Sequence, residues 1–151
     1  MIPDGVTVIP GAAFYYCTNL TSIALPKGIT EIGSYAFSNC RKLKTLTLPE
    51  SVESFGRWAF SGCRSLERIS IPRNVKKWGG SAFEECPRLT GVDVDAENTL
   101  FTSKDGIVFN KNMTTIYYYS QTRKGAYAIP SSVTSIEAGA FAGCQELTGI
   151  T

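Results

Sequence analysis

The chain contains no histidine among its 151 residues. That absence removes Cys-His and Ser-His catalytic pairs and every histidine-containing metal site. A dominant charge is also lacking, since 15 Lys and Arg stand against 13 Asp and Glu for a net +2. Glu50, Glu53, Glu67, Glu84 and Glu85 are interspersed among the basic residues, and such mixed signs favour a soluble surface over a one-sided basic stripe, so no nucleic-acid partner is expected. No apolar run approaches the roughly 18 residues that span a membrane, so no direct membrane insertion is expected. Met1 runs at once into Ile2-Pro3-Asp4, with no apolar leader between. There is no Gly-rich phosphate loop. Carboxylates such as Asp105 and Glu137 occur singly. The expectation is a non-enzymatic chain with no catalytic residue, no metal and no cofactor.

What is present is a repeat. An Ala-Phe pair is followed by Cys three residues after the Phe at Phe14/Cys17, Phe37/Cys40, Phe60/Cys63, Phe83/Cys86 and Phe141/Cys144. The first four are 23 residues apart, and the last step is 58, which is 23 + 35. Pro3, Pro26, Pro49, Pro72 and Pro130 keep the same spacing. So do Val6, Ile29, Val52, Val75 and Val133, and then Ile9, Ile32, Phe55, Trp78 and Ile136. Leu20, Leu43, Leu66, Leu89 and Leu147 follow each Cys, with Ile23, Leu46, Ile69, Val92 and Ile150 three further on. A fixed period of this length is the signature of a solenoid, in which each repeat stacks on the next.

Within one coil, Leu20–Leu25 alternates as a half-buried strand. Pro26 ends pairing because it has no N–H. Ile29–Ile32 is a second short extended piece, and Gly33 reads as a corner. Ala36–Cys40 is expected as one short helical turn with Phe37 and Cys40 on one face. Stacked equivalent strands must run parallel. The fold class is thus a β-rich α/β repeat solenoid, a right-handed superhelix with a parallel sheet and short helical turns.

The period breaks at Asp95, where Pro is expected. Leu100–Ser103, Ile107–Phe109 and Thr114–Tyr119 are separated by Asp105-Gly106 and Asn110-Lys111-Asn112. These are hairpin signals, so a small β-meander should replace the Phe-Cys turn of one enlarged coil. The organisation is a single solenoid over 1–151, with 23-residue coils over 1–94 and 130–151 and a 35-residue coil over about 95–129. Both ends fall mid-repeat. Either the chain is a fragment of a longer array, or its bare terminal coils associate end to end.

Several residue sets are candidates for chemistry. The five cysteines lie in a file pointing one way, with an odd count that prevents full pairing. They read as a ladder of buried free thiols. The outward strand positions Ser22, Thr45, Thr47, Arg68, Ser70 and Asp93 form a small, polar grid that either binds a partner or is a solvated face. Tyr35 and Trp58, one period apart, either anchor a ligand or cover the turn against the next coil. In the meander, alternation should bury Tyr118 or else its two neighbours Tyr117 and Tyr119, but not all three. Tyr117 and Tyr119 are the candidate contacts there. An insertion on a repeat scaffold is a natural binding loop, or else a wider coil closing the core.

The columns Leu20-x-x-Ile23-x-Leu25-Pro26, Val/Ile-x-x-Ile and Ala-Phe-x-x-Cys resemble the BspA-like leucine-rich repeats, a bacterial class with a 23-residue unit. Phe101–Asn110 followed by Tyr127-Ala128-Ile129-Pro130 resembles a variant of that family, although Ser120-Gln121 stands where the variant often has Pro. The resemblance implies a secreted or cell-surface protein that adheres to a host or neighbouring-cell surface protein or glycan. A structural spacer with no ligand of its own is the competing expectation.

Overall fold

The computed structural model describes residues 2–151. Among them are twelve short strands and no helix. The strands are β1 (Val8–Ile9), β2 (Glu31–Ile32), β3 (Ser54–Phe55), β4 (Arg68–Ile71), β5 (Lys77–Trp78), β6 (Gly91–Val94), β7 (Phe101–Lys104), β8 (Ile107–Asn110), β9 (Thr115–Tyr119), β10 (Gly125–Tyr127), β11 (Ser135–Ile136) and β12 (Leu147–Ile150). They stack as a solenoid around two apolar clusters, a long one through the first four coils and a smaller one from the enlarged coil onward.

The Val/Ile-x-x-Ile segments form the longest parallel sheet, in the order β1-β2-β3-β5. Ile9, Ile32, Phe55 and Trp78 stand in register across it. The expected Leu-x-x-Ile-x-Leu strands form a separate ladder that is fully paired only between β4 and β6. Coil two joins it through a single bridge, Thr45 to Arg68. Proline explains the difference. The Asp95 N–H donates to Ile71 O and closes the β4–β6 ladder. Pro72, one coil earlier, has no N–H to give Leu48.

Phe14, Phe37, Phe60 and Phe83 form a parallel stack, with ring centroids 5.1, 6.0 and 5.2 Å apart. The expected helical turn beside them is a run of β-turns instead. The N–H groups of Ala13, Tyr15 and Cys17 donate to the carbonyls of Pro10, Ala12 and Phe14. The intervening N–H groups of Ala12, Phe14 and Tyr16 run along the stack to Ser34, Ala36 and Ser38. An α-helix keeps its N–H bonds within one segment. Here alternate ones tie coil to coil. Two positions per coil adopt positive φ, such as Tyr35 and Asn39, or Ser81 and Glu85, which stops helix propagation.

Gly33, Gly56 and Gly79 mark a close backbone approach more than a corner. A Cβ at Gly79 would strike the Gly56 carbonyl, and one at Gly33 would strike Gly11.

Cys40, Cys63 and Cys86 are buried free thiols, whereas Cys17 is exposed and Cys144 half-buried. Each buried Sγ donates to the carbonyl of the Phe one coil back: Cys40 to Phe14 at 3.2 Å, Cys63 to Phe37 at 3.3 Å and Cys86 to Phe60 at 3.2 Å. Burial raises these thiols, Cys40 to about 11, Cys86 to about 12 and Cys63 in the same direction.

The enlarged coil contains the antiparallel meander β7-β8-β9. Parallel pairing resumes when β11 joins β9. Asn98 braces its entry: Nδ2 donates to Pro72 O and Val75 O, while Oδ1 accepts from the Leu100 and Phe101 N–H groups. Strand β9 lies between two cores. Tyr118 packs edge-on against Phe83 at 5.7 Å, and Tyr119 stacks on Phe141 at 4.9 Å. Both are buried.

Candidate functional site

The strand-face candidates Ser22, Thr45, Thr47, Arg68, Ser70 and Asp93 are all exposed. Their two charges satisfy each other. The Arg68 guanidinium lies over Gly91 and reaches the Asp93 carboxylate at 2.6 Å. The rest of that face is hydroxyls and small groups, and it presents no uncompensated charge or ring. A groove opens beside it where coils one and two are unpaired, with Ile23, Leu25, Leu48 and Pro49 as its apolar lining and Lys27 and Glu50 as its charged groups.

The meander supplies less than alternation suggested. Tyr119 is 1% exposed and drops out as a ligand contact. The physical reason is that β9 has a core on each side, so adjacent residues are buried in different clusters. Tyr117 is half-buried, packed edge-on against Phe101 at 5.0 Å and Trp78 at 6.1 Å.

The turn side differs. Tyr35 stacks on Trp58 with centroids 5.1 Å apart and planes 15° apart. Tyr15 meets Tyr35 edge-on at 6.2 Å and Tyr16 at 4.7 Å. Tyr15, Tyr16 and Tyr35 are 49%, 52% and 40% exposed, so the four rings make a continuous surface strip over three coils. A guanidinium caps each end. Arg57 lies 4.5 Å from the Trp58 ring centre and Arg41 5.7 Å from that of Tyr16. The Trp58 indole N–H donates to Glu84 Oε2 at 3.0 Å.

The repeat itself shows that these rings are not needed for the fold. The column of Tyr35 and Trp58 holds Ala12, Ser81 and Gly139 in the other regular coils. The column of Tyr15 holds Ser38, Ser61, Glu84 and Ala142, and that of Tyr16 holds Asn39, Gly62, Glu85 and Gly143. Moreover Tyr16, Tyr35 and Trp58 have φ of 59°, 60° and 54°. A non-glycine residue in that conformation costs about 1–2 kcal/mol, and a bulky aromatic residue there is uncommon. The same positive φ recurs at Ala12, Asn39, Ser81 and Glu85, so it belongs to the turn; what sets this surface apart is four rings gathered where other coils carry small or polar residues, the pattern expected of a contact site.

Sequence reasoning singled out Tyr35 and Trp58 as neighbours and passed over Tyr15, Tyr16 and Arg57, which the structure sets beside them. The signal was present in the non-consensus columns, where one coil carries a large residue and the others carry small ones. Among the described residues, no group of three potential metal ligands converges. No helix there is long and apolar enough to cross a membrane.

The family model described as BspA type leucine rich repeat region (6 copies) matches residues 1–112 and 111–151. No curated protein matches the chain. Among solved structures, a leucine-rich repeat protein from Eubacterium ventriosum is 24% identical, with a TM-score of 0.79 over 97% of this chain and 45% of its own. A leucine rich cell surface protein from Faecalibacterium prausnitzii is 27% identical, with a TM-score of 0.76 over 96% of this chain and 51% of its own. The pneumococcal vaccine antigen PcpA is 24% identical, with a TM-score of 0.73 over 99% of this chain and 49% of its own. The chain thus spans about half the length of the structures it matches.

Proposed function

The chain belongs to the BspA-type leucine-rich repeat family. From that premise we propose that it is a non-enzymatic recognition module of a secreted or cell-surface bacterial protein, adhering to a host or neighbouring-cell protein or glycan. The Faecalibacterium neighbour, named as a cell surface protein, supports the location. The observation that carries the binding role is the strip of Tyr15, Tyr16, Tyr35 and Trp58, set in columns that the fold fills elsewhere with small residues. Rigid aromatic groups anchor interfaces at low entropic cost. The solenoid holds them on a backbone tied from coil to coil by hydrogen bonds.

The test is binding to a panel of immobilised host matrix glycoproteins and glycans. The native chain is compared with Tyr35→Gly/Trp58→Gly and with Arg68→Glu/Thr47→Lys on the strand face. Saturable binding lost only in the aromatic variant supports the reading. Loss only in the strand-face variant moves the site to the sheet. No saturable binding anywhere returns the chain to the role of spacer.

A further inference from the structure

The strip also carries an unbalanced charge, and the repeat shows why. In coil three, Arg64 pairs with Glu85 at 3.3 Å. Arg41 occupies the same column one coil earlier, but the position equivalent to Glu85 there is Gly62. Arg57 has no equivalent in other coils, where its column holds Gly11, Ser34, Gly80 and Ala138. Neither guanidinium forms an ion pair among the described residues. The six ion pairs among the described residues tie Arg64, Arg68, Arg73, Lys76 and Lys124 to carboxylates, with Arg73 reaching both Glu50 and Glu97. Glu84, whose carboxylate accepts from the Trp58 indole N–H at 3.0 Å, sets one acid beside the strip against these two cations. The phenol groups of Tyr15, Tyr16 and Tyr35 form no side-chain hydrogen bond within the described residues, in contrast to Tyr119, which accepts one from Arg123.

Sugar recognition by stacking needs an open ring face. Trp58, the ring best suited to it, already carries Tyr35 and the Arg57 guanidinium against its indole. What the strip offers besides ring surface is three phenol O–H groups with no side-chain hydrogen bond and two guanidinium groups with no ion pair, one at each end. Phenol donors and guanidinium forks both favour a carboxylate-bearing partner. A row several coils long favours an extended one.

We propose that the Tyr15–Tyr16–Tyr35–Trp58 strip, with Arg41 and Arg57, docks an extended acidic segment of a protein partner. The inference rests on reading the strip as the binding surface and specifies its ligand. The carboxylates would pair with the two guanidinium groups, and apolar side chains between them would lie along the ring edges. Because Arg41 and Arg57 are exposed, the attraction is screened by salt.

The experiment uses synthetic peptides alternating Glu with Phe, Gln with Phe, and Lys with Phe, and a sialylated oligosaccharide as an acidic sugar. Each is titrated against the whole chain by surface binding. The Glu peptide should bind saturably, weaken as ionic strength rises, and outcompete the other three probes. Arg41→Ala/Arg57→Ala and Tyr35→Gly/Trp58→Gly should each weaken it by roughly tenfold or more. Lys77→Ala, an exposed cation on the β5 strand, should leave it unchanged. Arg41→Glu/Arg57→Glu should transfer preference to the Lys peptide. A denaturation midpoint close to the native one confirms that each variant is folded. Equal binding of the Glu and Gln peptides, no binding of the Glu peptide, or preference for the sugar overturns the acidic-segment inference. The glycoprotein panel decides separately whether the strip binds anything, so the two readings fail independently.

Discussion

Coils two to four and the enlarged coil satisfy the same backbone group with different chemistry. In the regular coils a cysteine thiol donates to the phenylalanine carbonyl of the coil before. In the enlarged coil there is no such cysteine, and Gln121 Nε2 donates to Phe83 O at 3.0 Å. The regular pattern then resumes, with Cys144 Sγ 3.7 Å from Tyr119 O. Tyr119 therefore takes the phenylalanine place in the enlarged coil, and Gln121 stands two residues beyond it, in the column of Asn39 and Gly62. The solenoid preserves a buried carbonyl that needs a donor, not a residue type.

The two regions can be driven apart by mutation. The largest effect belongs to the regular stack. Phe60→Ala removes a fully buried ring between Phe37 and Phe83. It should cost about 3–5 kcal/mol in urea denaturation. A loss below about 1 kcal/mol would mean that the column relaxes to fill the gap.

The donor comparison comes next. Gln121→Met keeps the side-chain length and orphans the Phe83 carbonyl, for a loss of about 1–3 kcal/mol. Cys63→Ala removes a weaker donor and one sulfur atom, so about 1 kcal/mol is expected. Equal losses at the two sites would show that the thiol and the carboxamide contribute alike.

High pH should act on both regions, since burial raises the thiols of the regular coils and the Tyr118 phenol of the enlarged coil alike. Folding raises Cys40 and Cys86 from 9.0 to about 11 and about 12, with desolvation the main cause. The folded state therefore holds protons that the unfolded state has already released, and its stability is complete below pH 9. Between about pH 9 and the folded values each thiol removes about 1.4 kcal/mol per pH unit. Urea midpoints should fall over that window. Cys40→Ala/Cys86→Ala should flatten the decline, and an unchanged slope in that variant would dissociate it from those two thiols.

The smallest effect is expected at the strip. Trp58→Gly loses partly buried ring surface but relieves a positive φ that glycine adopts freely. The net change should lie within about 1 kcal/mol. A loss near that of Phe60→Ala would place Trp58 in the core and remove the argument that its ring serves a ligand.

Most of the fold was legible because each column repeats one environment in the inner coils. Phe37, Phe60, Cys63 and Leu66 are buried where the period put them. The hairpin signals at Asp105-Gly106 and Asn110-Lys111-Asn112 open onto β8 and β9. The helical turn was misread because Ala-Phe-x-x-Cys has the spacing of a helix face, whereas half of its N–H groups bond to the next coil. Tyr119 was misread because alternation assumes one wet face, and β9 has none at its end. On the turn side, Tyr35 and Trp58 were visible as neighbours one period apart. Their link to Tyr15 and Tyr16 was not, since it depends on side chains leaning across a turn.

By itself, the sequence determined the period, the columns and the interruption. The reason is that a stacked coil must place the same apolar atoms at the same heights to exclude water. Only the tertiary structure decided which donor serves Phe83 O and which tyrosine faces solvent. It also decided that Arg41 is unpaired whereas Arg64 is paired. Each of these depends on a partner one or more coils away, at a distance along the chain that the enlarged coil changes from 26 residues for Cys86 and Phe60 to 38 for Gln121 and Phe83.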